Sequence, residues 1–471
     1  MMENKKKFQM PSAYSILILI IIVLAIITHL IPGDAVTGAK LSDVVMAPTN
    51  GFVNAIDVCV FVLVLGGFLG TMTKTGALDA GIAAIVKKLK GNEIMLIPVL
   101  MIVFSLGGTT YGMAEETIAF YALIVGTMMA AGFDALVGAA IIMIGAGVGV
   151  LGSTVNPFAI AAAVDALQGA YPDIQVNQTV IIALGAVLWI SSLVIGIIFV
   201  VNYAKKVKAE SGRSILTAVE RAAAQEAHGN KDLDNIVSLT GRQKACLWIF
   251  AISFVVMIVS LIPWTDFGIT IFENWSDILT GTALGGWYFQ ELQAWFLIMS
   301  IIIAIVYGIP EREFINTFIA GAADMVGVVL VIAVSRGISV IMTTTGLGDY
   351  ILANAANALS GVNSSLFTIG SYIIYLGLSF LIPSTSGLAA ASMPTFGGLA
   401  YQLGLSPEVM ILIFSAACGV VNLVTPTSGV VMGGLAIAKV EWPTWVKFVA
   451  KLLGILIVAN IIILSVAMMI L

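Results

Sequence analysis

Leu106-Gly-Gly-Thr-Thr-Tyr-Gly112 is the stretch that decides the fold, because it interrupts an apolar block where a helix would cross a membrane. The apolar run before it, residues 94–106, is shorter than the roughly 20 residues that span a hydrocarbon core. The block resumes at Met113 and continues to about Ala131. The flanking charges assign both ends to the cytoplasm. The pattern predicts a re-entrant hairpin, residues 94–131, whose tip stops inside the membrane.

A second interrupted block, residues 366–403, has the same form around Pro383-Ser-Thr-Ser-Gly387, and the orientation count opens it to the outside. Two further helices contain polar breaks, Gly152-Ser-Thr-Val-Asn-Pro157 and Asn422-Leu-Val-Thr-Pro-Thr-Ser-Gly429. Proline has no amide donor, so each break frees backbone carbonyls. Irregular backbone at this depth persists only where it is buried or lines a cavity. The four stretches together therefore predict a binding site.

Composition places the whole chain in a membrane. Of 471 residues, 60% are hydrophobic and 10% charged, against about a quarter charged in soluble domains. Apolar blocks inside a bilayer must form helices to satisfy their backbone. The expected fold class is an all-α polytopic membrane protein. Spanning helices are predicted at residues 13–31, 51–73, 134–155, 179–201, 242–262, 292–308, 320–342, 407–424 and 444–470.

The distribution of basic residues predicts the orientation. Lys5, Lys6 and Lys7 place the N-terminus in the cytoplasm, and the polar stretch 205–242 is assigned to the same side. Residues 264–291 contain no Lys or Arg, which suits the outside. Six tryptophans are assigned to the aromatic belts, and the three cysteines to packing. They are Trp264, Trp275, Trp287, Trp295, Trp442 and Trp445, and Cys59, Cys246 and Cys418.

An internal repeat relates the two halves of the chain. Thr73-Lys-Thr-Gly-Ala-Leu-Asp79 matches Thr343-Thr-Thr-Gly-Leu-Gly-Asp349, an offset of 349 − 79 = 270, and Asn156-Pro157 pairs with Thr425-Pro426. The copies enter the membrane from opposite sides, so two inverted repeats are predicted, each with one re-entrant hairpin and one broken transmembrane helix. Inverted repeats with interrupted helices are typical of alternating-access transporters.

The repeat divides the chain into five predicted parts. They are an N-terminal helix and loop (1–50), a first repeat with a cytoplasm-facing hairpin at 94–131 (51–203), a cytoplasmic linker (204–242), linking scaffold helices (243–318), and a second repeat with an outward-facing hairpin at 366–403 (319–471).

The tips and breaks supply the candidate substrate- and ion-binding residues. Hydroxyls and carbonyls suit Na⁺, expected at the Asn156 and Asn422 loops, and helix N-termini suit an anionic group. A proline kink bridged by Ser or Thr is the structural alternative. The candidates are Gly108, Thr109, Thr110, Glu115, Glu116, Ser153, Thr154, Asn156, Ser384, Thr385, Ser386, Asn422, Thr425, Thr427 and Ser428.

Charged residues inside the apolar blocks carry the substrate hypothesis. Glu115 and Glu116 follow the first tip and are predicted to face a substrate cation or a coupling proton, since charges at this depth are costly and usually functional. Helix capping is the alternative role. Arg336 is interpreted as one half of a structural ion pair with Asp57, Asp324 or Asp349; binding a substrate carboxylate is its alternative.

The run Gly107-Gly-Thr-Thr-Tyr-Gly-Met-Ala-Glu-Glu116, with Gly152-Ser-Thr-Val-Asn-Pro157, resembles the YfcC group of the anaerobic dicarboxylate carrier (DcuC-like) family, within the ion-transporter superfamily. The resemblance covers nearly the whole chain. It implies a scaffold domain and a transport domain that moves as an elevator, usually in a homodimer. Members are assigned four-carbon dicarboxylates or basic amino acids. The superfamily's Ser-Asn-Thr tip signature is replaced here by Gly108-Thr-Thr110 and Ser384-Thr-Ser386.

We therefore expect a secondary transporter of the bacterial inner membrane, not an enzyme. The predicted substrate is a basic amino acid such as arginine or ornithine, carried by antiport or ion coupling. A dicarboxylate carrier of the same fold is the alternative, and a channel or intramembrane enzyme is least favoured. No cofactor is expected beyond coupling Na⁺ or H⁺. The expected partners are a small-molecule substrate, membrane lipid and a second copy of the chain, with no nucleic acid.

Overall fold

A computed structural model describes residues 13–78, 80–81, 92–229, 239–262 and 264–471. All regular structure in this part of the chain is helical. The nineteen α-helices within these ranges are α1 (Ala13–Leu30), α2 (Leu41–Asn54), α3 (Ile56–Lys74), α4 (Leu96–Tyr111), α5 (Tyr121–Ala130), α6 (Ala135–Leu151), α7 (Ala162–Ala170), α8 (Gln178–Ala209), α9 (Ala218–His228), α10 (Gly241–Leu261), α11 (Phe289–Tyr307), α12 (Glu311–Asp324), α13 (Val326–Thr344), α14 (Leu347–Leu359), α15 (Ser364–Leu381), α16 (Thr385–Gln402), α17 (Pro407–Asn422), α18 (Gly429–Ala438) and α19 (Trp442–Ile470).

Eight helical segments among the described residues are long and apolar enough to cross a membrane, which confirms the all-helical, multi-spanning fold class. They differ from several predicted spans in length and position. The eight are Ile56–Lys74, Glu93–Tyr111, Gln178–Ala209, Gly241–Leu261, Phe289–Tyr307, Val326–Thr344, Ser364–Leu381 and Trp442–Ile470.

Two predicted single spans are each broken into two helices. The span expected at 51–73 is divided at Ala55, between α2 and α3, and the span expected at 320–342 is divided at Met325, between α12 and α13. Residues 41–50 are therefore helical, where a loop was expected. The predicted spans missed both breaks because neither contains a proline or a glycine to mark it, although Asn54, Asp57 and Asp324 lie beside them. The two breaks lie 325 − 55 = 270 residues apart, the offset of the sequence repeat.

Small residues bring the broken helices together in crossed pairs. A Cβ on Gly51 of α2 would overlap the backbone of Ala333 and Gly337 in α13. A Cβ on Gly321 of α12 would likewise overlap the Gly66 carbonyl in α3. Such close backbone approach is how membrane helices associate without a hydrophobic driving force. Each half thus contributes one short helix that packs on a long helix of the other half.

Two buried helices, α6 and α17, form the centre of a second group. Nearly every residue of each is buried, and Gly419 of α17 packs directly on the Leu151 backbone of α6. The arms α4 and α5 pack on α6, whereas α15 and α16 pack on α17. Both helices end at the polar breaks, at Leu151 and Asn422. The packing therefore brings the two breaks into the interior.

The predicted polar linker is partly helical. α8 continues to Ala209, and α9 begins with a Thr217–Glu220 capping box. Glu220 Oε1 accepts a hydrogen bond from the Glu441 amide (2.8 Å), which ties α9 to the start of α19. Residues 230–238 of the linker, the Lys5–Lys7 cluster and Asp79 lie outside the described residues. The N-terminal orientation therefore stays a prediction.

Three tryptophans assigned to the aromatic belts are instead buried inside the protein. Trp287, Trp295 and Trp445 are 4%, 9% and 0% exposed. Trp445 donates its indole N–H to the Leu423 carbonyl (2.8 Å), and Trp442 donates to the Val424 carbonyl (2.7 Å). These indoles satisfy carbonyls at the second break, a role that composition alone does not reveal. The three cysteines are free and buried, as expected of packing residues.

Candidate functional site

The first arm of the predicted hairpin is longer than expected, because Gly107 to Tyr111 continue the helix α4. The segment Glu93–Tyr111 is therefore long enough to cross a membrane, where the sequence suggested one too short to do so. Gly108 allows this, since a Cβ there would overlap the Ala146 carbonyl of α6. The arm ends at Gly112, whose φ of +77° is the left-handed conformation that favours glycine. A Cβ on Gly112 would lie 2.5 Å from Asn156 Oδ1. The tip is therefore seated against the first broken helix.

Hydroxyl groups join this tip to the first break. Thr109 Oγ1 donates to the Gly152 carbonyl (2.7 Å), and the Thr154 amide donates to the Thr109 carbonyl (2.9 Å). Asn156 Oδ1 accepts from the amides of Phe158 (2.9 Å) and Ala159 (3.3 Å), while its Nδ2 donates to Ser153 Oγ (3.0 Å). These side chains satisfy the backbone that the break leaves open. Their polar atoms are used within the protein.

The second break is held in a similar way. Thr427 Oγ1 donates to the Phe380 carbonyl of the second hairpin (3.0 Å) and lies 2.7 Å from Thr425 Oγ1. Asn422 Nδ2 donates to Thr385 Oγ1 (3.4 Å). No protein donor reaches the Asn422 side-chain oxygen within the described ranges. Of the two amides predicted to hold Na⁺, Asn422 therefore retains a free oxygen, whereas the oxygen of Asn156 is engaged.

One cavity lies where the two tips and two breaks converge, and eight of the fifteen candidate residues line it. These are Glu115, Glu116, Asn156, Ser384, Thr385, Ser386, Asn422 and Ser428. The other seven do not line it: Gly108 permits close helix packing, and the hydroxyl side chains bond locally or across the breaks. These seven are Gly108, Thr109, Thr110, Ser153, Thr154, Thr425 and Thr427.

Two carboxylates and one guanidinium face this cavity. Glu116 is 3% exposed, and its Oε2 accepts a hydrogen bond from the Ala114 amide (3.1 Å), so it caps its own turn in part. Glu115 is half-buried and makes neither a hydrogen bond nor an ion pair with any described residue. Arg336 reaches the same cavity from α13. Opposite charges therefore stand unpaired in one wall.

The structural ion pair expected of Arg336 is absent. Its guanidinium lies within 4.0 Å of no carboxylate in the described part of the chain, which includes Asp57, Asp324 and Asp349. The expectation of an ion pair was wrong because it relied on the distance between Arg336 and the tips along the sequence. The packing of α13 against α2 turns it toward the cavity. A second cavity shares Arg336 and Ser384 with the first and extends to Asp349.

Two helices of the second half, α16 and α18, begin at the cavity. Ser384 caps α16 by accepting from the Gly387 amide (3.2 Å), and Ser428 caps α18 by accepting from the Val431 amide (3.4 Å). Helix N-termini carry partial positive charge and attract anions. In the first half, the helical turn after the tip begins with Glu115 and Glu116. The lining of the cavity thus combines two carboxylates with two helix N-termini that suit an anion.

Sequence reasoning missed the aromatic side of the cavity. Phe158, Tyr288, Phe289 and Tyr121 line it. The Phe158 ring centroid lies 5.4 Å from that of Tyr288 and 6.4 Å from that of Phe289. Phe158 follows the predicted break directly, which is a local signal. Tyr288 and Phe289 lie at the start of a helix far along the chain, and no local pattern relates them to the tips.

The chain matches the family described as C4-dicarboxylate anaerobic carrier (DcuC) over residues 36–469. An uncharacterised protein of Haemophilus influenzae is 32% identical over 427 residues, which cover 90% of this chain and 78% of that protein. A protein of Escherichia coli named "Putative basic amino acid antiporter YfcC" is 27% identical over 422 residues, 86% of this chain and 76% of the relative.

Two solved transporters align over nearly the whole chain at low identity. Neisseria gonorrhoeae MtrF, described in its title as illuminating a class of antimetabolite efflux pumps, has a TM-score of 0.44 at 18% identity and covers 98% of this chain and 96% of its own. Alcanivorax borkumensis YdaH, a transporter, has a TM-score of 0.48 at 15% identity, with 97% and 98% covered. Neither TM-score reaches 0.5. The family match and the eight apolar spans establish that the chain belongs to the DcuC family and is a multi-pass membrane transporter of a small molecule.

Proposed function

We propose that this transporter carries basic amino acids, such as arginine or ornithine, across the bacterial inner membrane. The observation that carries the proposal is one cavity in which Glu115, Glu116 and Arg336 stand without ion-pair partners among the described residues. Ionisable groups in a membrane protein are costly unless they are paired or serve a ligand. An amino acid supplies both charges that such a cavity lacks.

Each end of a basic amino acid has a partner in this arrangement. The α-carboxylate binds Arg336 and the N-termini of α16 and α18, capped by Ser384 and Ser428. The cationic side chain binds Glu115 and Glu116. With the three side chains ionised, their charges sum to 1 − 2 = −1. A substrate with net charge +1 neutralises that sum, which favours arginine or ornithine over a neutral amino acid.

A dicarboxylate is the second candidate, favoured by the family description and by Arg336 in the cavity wall. A dianion would face two carboxylates across a site of low dielectric, where like charges repel strongly. Its binding would require Glu115 and Glu116 to be neutralised. We therefore rank the dicarboxylate second.

The same proposal includes the transport mechanism. The crossed helices around Gly51 and Gly321 form a static scaffold, and the two hairpins with α6 and α17 move across it as an elevator in a homodimer. The 270-residue spacing of the Ala55 and Met325 breaks supports an inverted repeat with two re-entrant hairpins. Exchange for another amino acid, or coupling to H⁺ or Na⁺, drives the flux. The buried Glu116 is the proposed proton site, and the free Asn422 oxygen a Na⁺ ligand.

Counterflow in proteoliposomes tests the substrate. Vesicles loaded with unlabelled arginine should accumulate labelled arginine and ornithine, and vesicles loaded with succinate should accumulate neither. Glu115→Gln should reduce arginine counterflow at least tenfold, because it removes an unpaired charge partner of the cation. Glu226→Gln, at an exposed position on α9, is the matched control. Succinate–succinate exchange without arginine counterflow would refute the basic substrate and favour the dicarboxylate.

A further inference from the structure

Three aromatic rings form a wall of the cavity beside the acidic side chains. Phe158 follows the first break, whereas Tyr288 and Phe289 begin α11, and all three line the cavity. Tyr288 and Phe289 meet edge-to-face at 5.0 Å, and the Phe158 ring lies within 24° of parallel to Phe289. We call these three residues the aromatic clamp.

The clamp is more than core packing, because two of its rings keep exposed surface. Phe289 is 8% exposed and also packs on Phe61 of the helical interior, so its role is largely structural. Tyr288 is 48% exposed, and Phe158 is half-buried. Aromatic surface left open in the lining of the cavity is available to a ligand.

The clamp lines the same cavity as Glu115 and Glu116, the proposed partners of the substrate cation, and Arg336 lines it as well. A cation held by the carboxylates therefore comes to rest against the ring faces. Aromatic faces attract cations through the ring quadrupole.

The geometry points to a clamp that selects a guanidinium over a primary ammonium in this cavity. This inference rests on the proposed function. A guanidinium is planar and weakly hydrated, so it stacks on an aromatic face while its edge donates to carboxylates. An ammonium is compact and strongly hydrated, and it loses more hydration than the rings replace. The transporter accordingly prefers arginine to ornithine and lysine.

The position of Phe158 makes the clamp depend on how two groups of helices meet. Its backbone is fixed by Pro157 and by the Asn156 side chain, which accepts the Phe158 amide hydrogen (2.9 Å). Phe158 belongs to the broken helix, whereas Tyr288 and Phe289 belong to α11, which packs on α3. The guanidinium therefore contacts both groups of helices at once, and its selection depends on their closing together.

Titration calorimetry on the purified full-length protein tests the clamp with arginine, ornithine and lysine as probes. Phe158→Leu and Tyr288→Leu remove a ring but keep an apolar side chain. Each should weaken arginine binding roughly tenfold, equivalent to about 1.4 kcal/mol, and ornithine binding less than threefold. Tyr288→Phe should restore the arginine-to-ornithine ratio, because stacking needs the ring and not the hydroxyl.

Phe272→Leu is the matched control, because Phe272 packs only on Trp264 and Trp275 among the described rings and does not line the cavity. It should leave all three affinities unchanged. Equal losses for arginine and ornithine in the ring variants, or no loss in either, would overturn the clamp and leave the proposed function standing. Binding of succinate with neither cation would instead overturn the proposed function and the clamp with it. Reactivity of the buried cysteines toward a thiol dye on heating verifies that each variant is folded.

Discussion

The two regions where a tip faces a break are held by similar hydrogen bonds and differ in charge at the tip. At each break a threonine hydroxyl donates to a carbonyl of the opposing segment, Thr109 to Gly152 in the first half and Thr427 to Phe380 in the second. After the first tip the helical turn begins with Glu115 and Glu116, whereas in the second half Ser384 and Ser428 cap the helices. The comparison teaches that similar hydrogen bonds hold the two regions, and that the residues at the helix starts give them different charge.

The crossed helices show a second asymmetry of this kind. Arg336 in α13 and Gly66 in α3 correspond at the offset of the predicted sequence repeat, since 336 − 66 = 270. Gly66 lies against the Gly321 carbonyl and leaves no room for a side chain, whereas Arg336 extends into the cavity. Close packing in one half therefore corresponds to a binding group in the other.

Removing both Glu115 and Glu116 should cause the largest loss of arginine transport, because it abolishes this difference in charge. The double variant Glu115→Gln/Glu116→Gln makes the first tip as uncharged as the second. Each lost charge partner costs about 2–5 kcal/mol, so arginine transport should fall by at least several hundredfold. Uptake into proteoliposomes measures the change, with Glu226→Gln/Glu311→Gln, two exposed acids, as the control. Retention of more than a tenth of the wild-type rate would contradict the acidic assignment.

Gly112→Ala should disrupt the first tip while the second remains intact. The added methyl group would meet Asn156 at a backbone φ of +77°. Left-handed strain costs about 1–2 kcal/mol and overpacking about 1–3 kcal/mol. Gly132→Ala has the same kind of φ (+85°) with nothing within 4 Å, so it isolates the strain. Thermal unfolding, followed by a thiol dye on the buried cysteines, should show a clearly larger drop for Gly112→Ala. Equal drops would mean that the Asn156 contact does not hold the tip.

Thr109→Val and Thr427→Val compare the hydroxyl contacts of the two breaks. Each leaves a carbonyl without its hydroxyl donor, at a cost of about 1–3 kcal/mol. The same unfolding measurement should give similar drops for both variants if the two breaks are equivalent. Thr110→Val is the control, because its hydroxyl bonds only to Leu106 within its own helix (2.6 Å). A drop in the unfolding temperature of one variant alone would show that the two halves differ in structure as well as in charge.

Ser384→Ala and Ser428→Ala should have the smallest effects. These effects should be limited to recognition of the substrate carboxylate. Loss of one hydroxyl hydrogen bond to the substrate carboxylate costs about 1 kcal/mol, so arginine binding should weaken about fivefold. Agmatine, which is arginine without its carboxylate, should bind both variants as it binds the wild type. Calorimetry with the two ligands separates these outcomes, and Ser406→Ala, at a cap outside the cavity, is the control. Equal losses for arginine and agmatine would place the carboxylate elsewhere.

Local sequence gave a good account of the second hairpin and a poorer one of the first. Pro383 has no amide hydrogen to donate and Ser384 is a strong N-cap, so α15 ends and α16 begins within three residues of the expected positions. Gly107 and Gly108 were interpreted as a break, yet they are helical because tight packing on α6 outweighs their low helix propensity. Propensity is a weak guide where tertiary packing dominates.

The sequence by itself determined that this chain lies in a membrane, that its helices are interrupted at four polar stretches, and which family it belongs to. These properties depend on hydropathy, proline and short motifs, all of which are local. Only the tertiary structure decided which polar residues face the cavity, that Arg336 turns toward it without an ion pair, and that Phe158 meets Tyr288 and Phe289. The cavity walls come from segments hundreds of residues apart, and helix packing sets their rotation and depth. One sequence read locally does not contain that geometry.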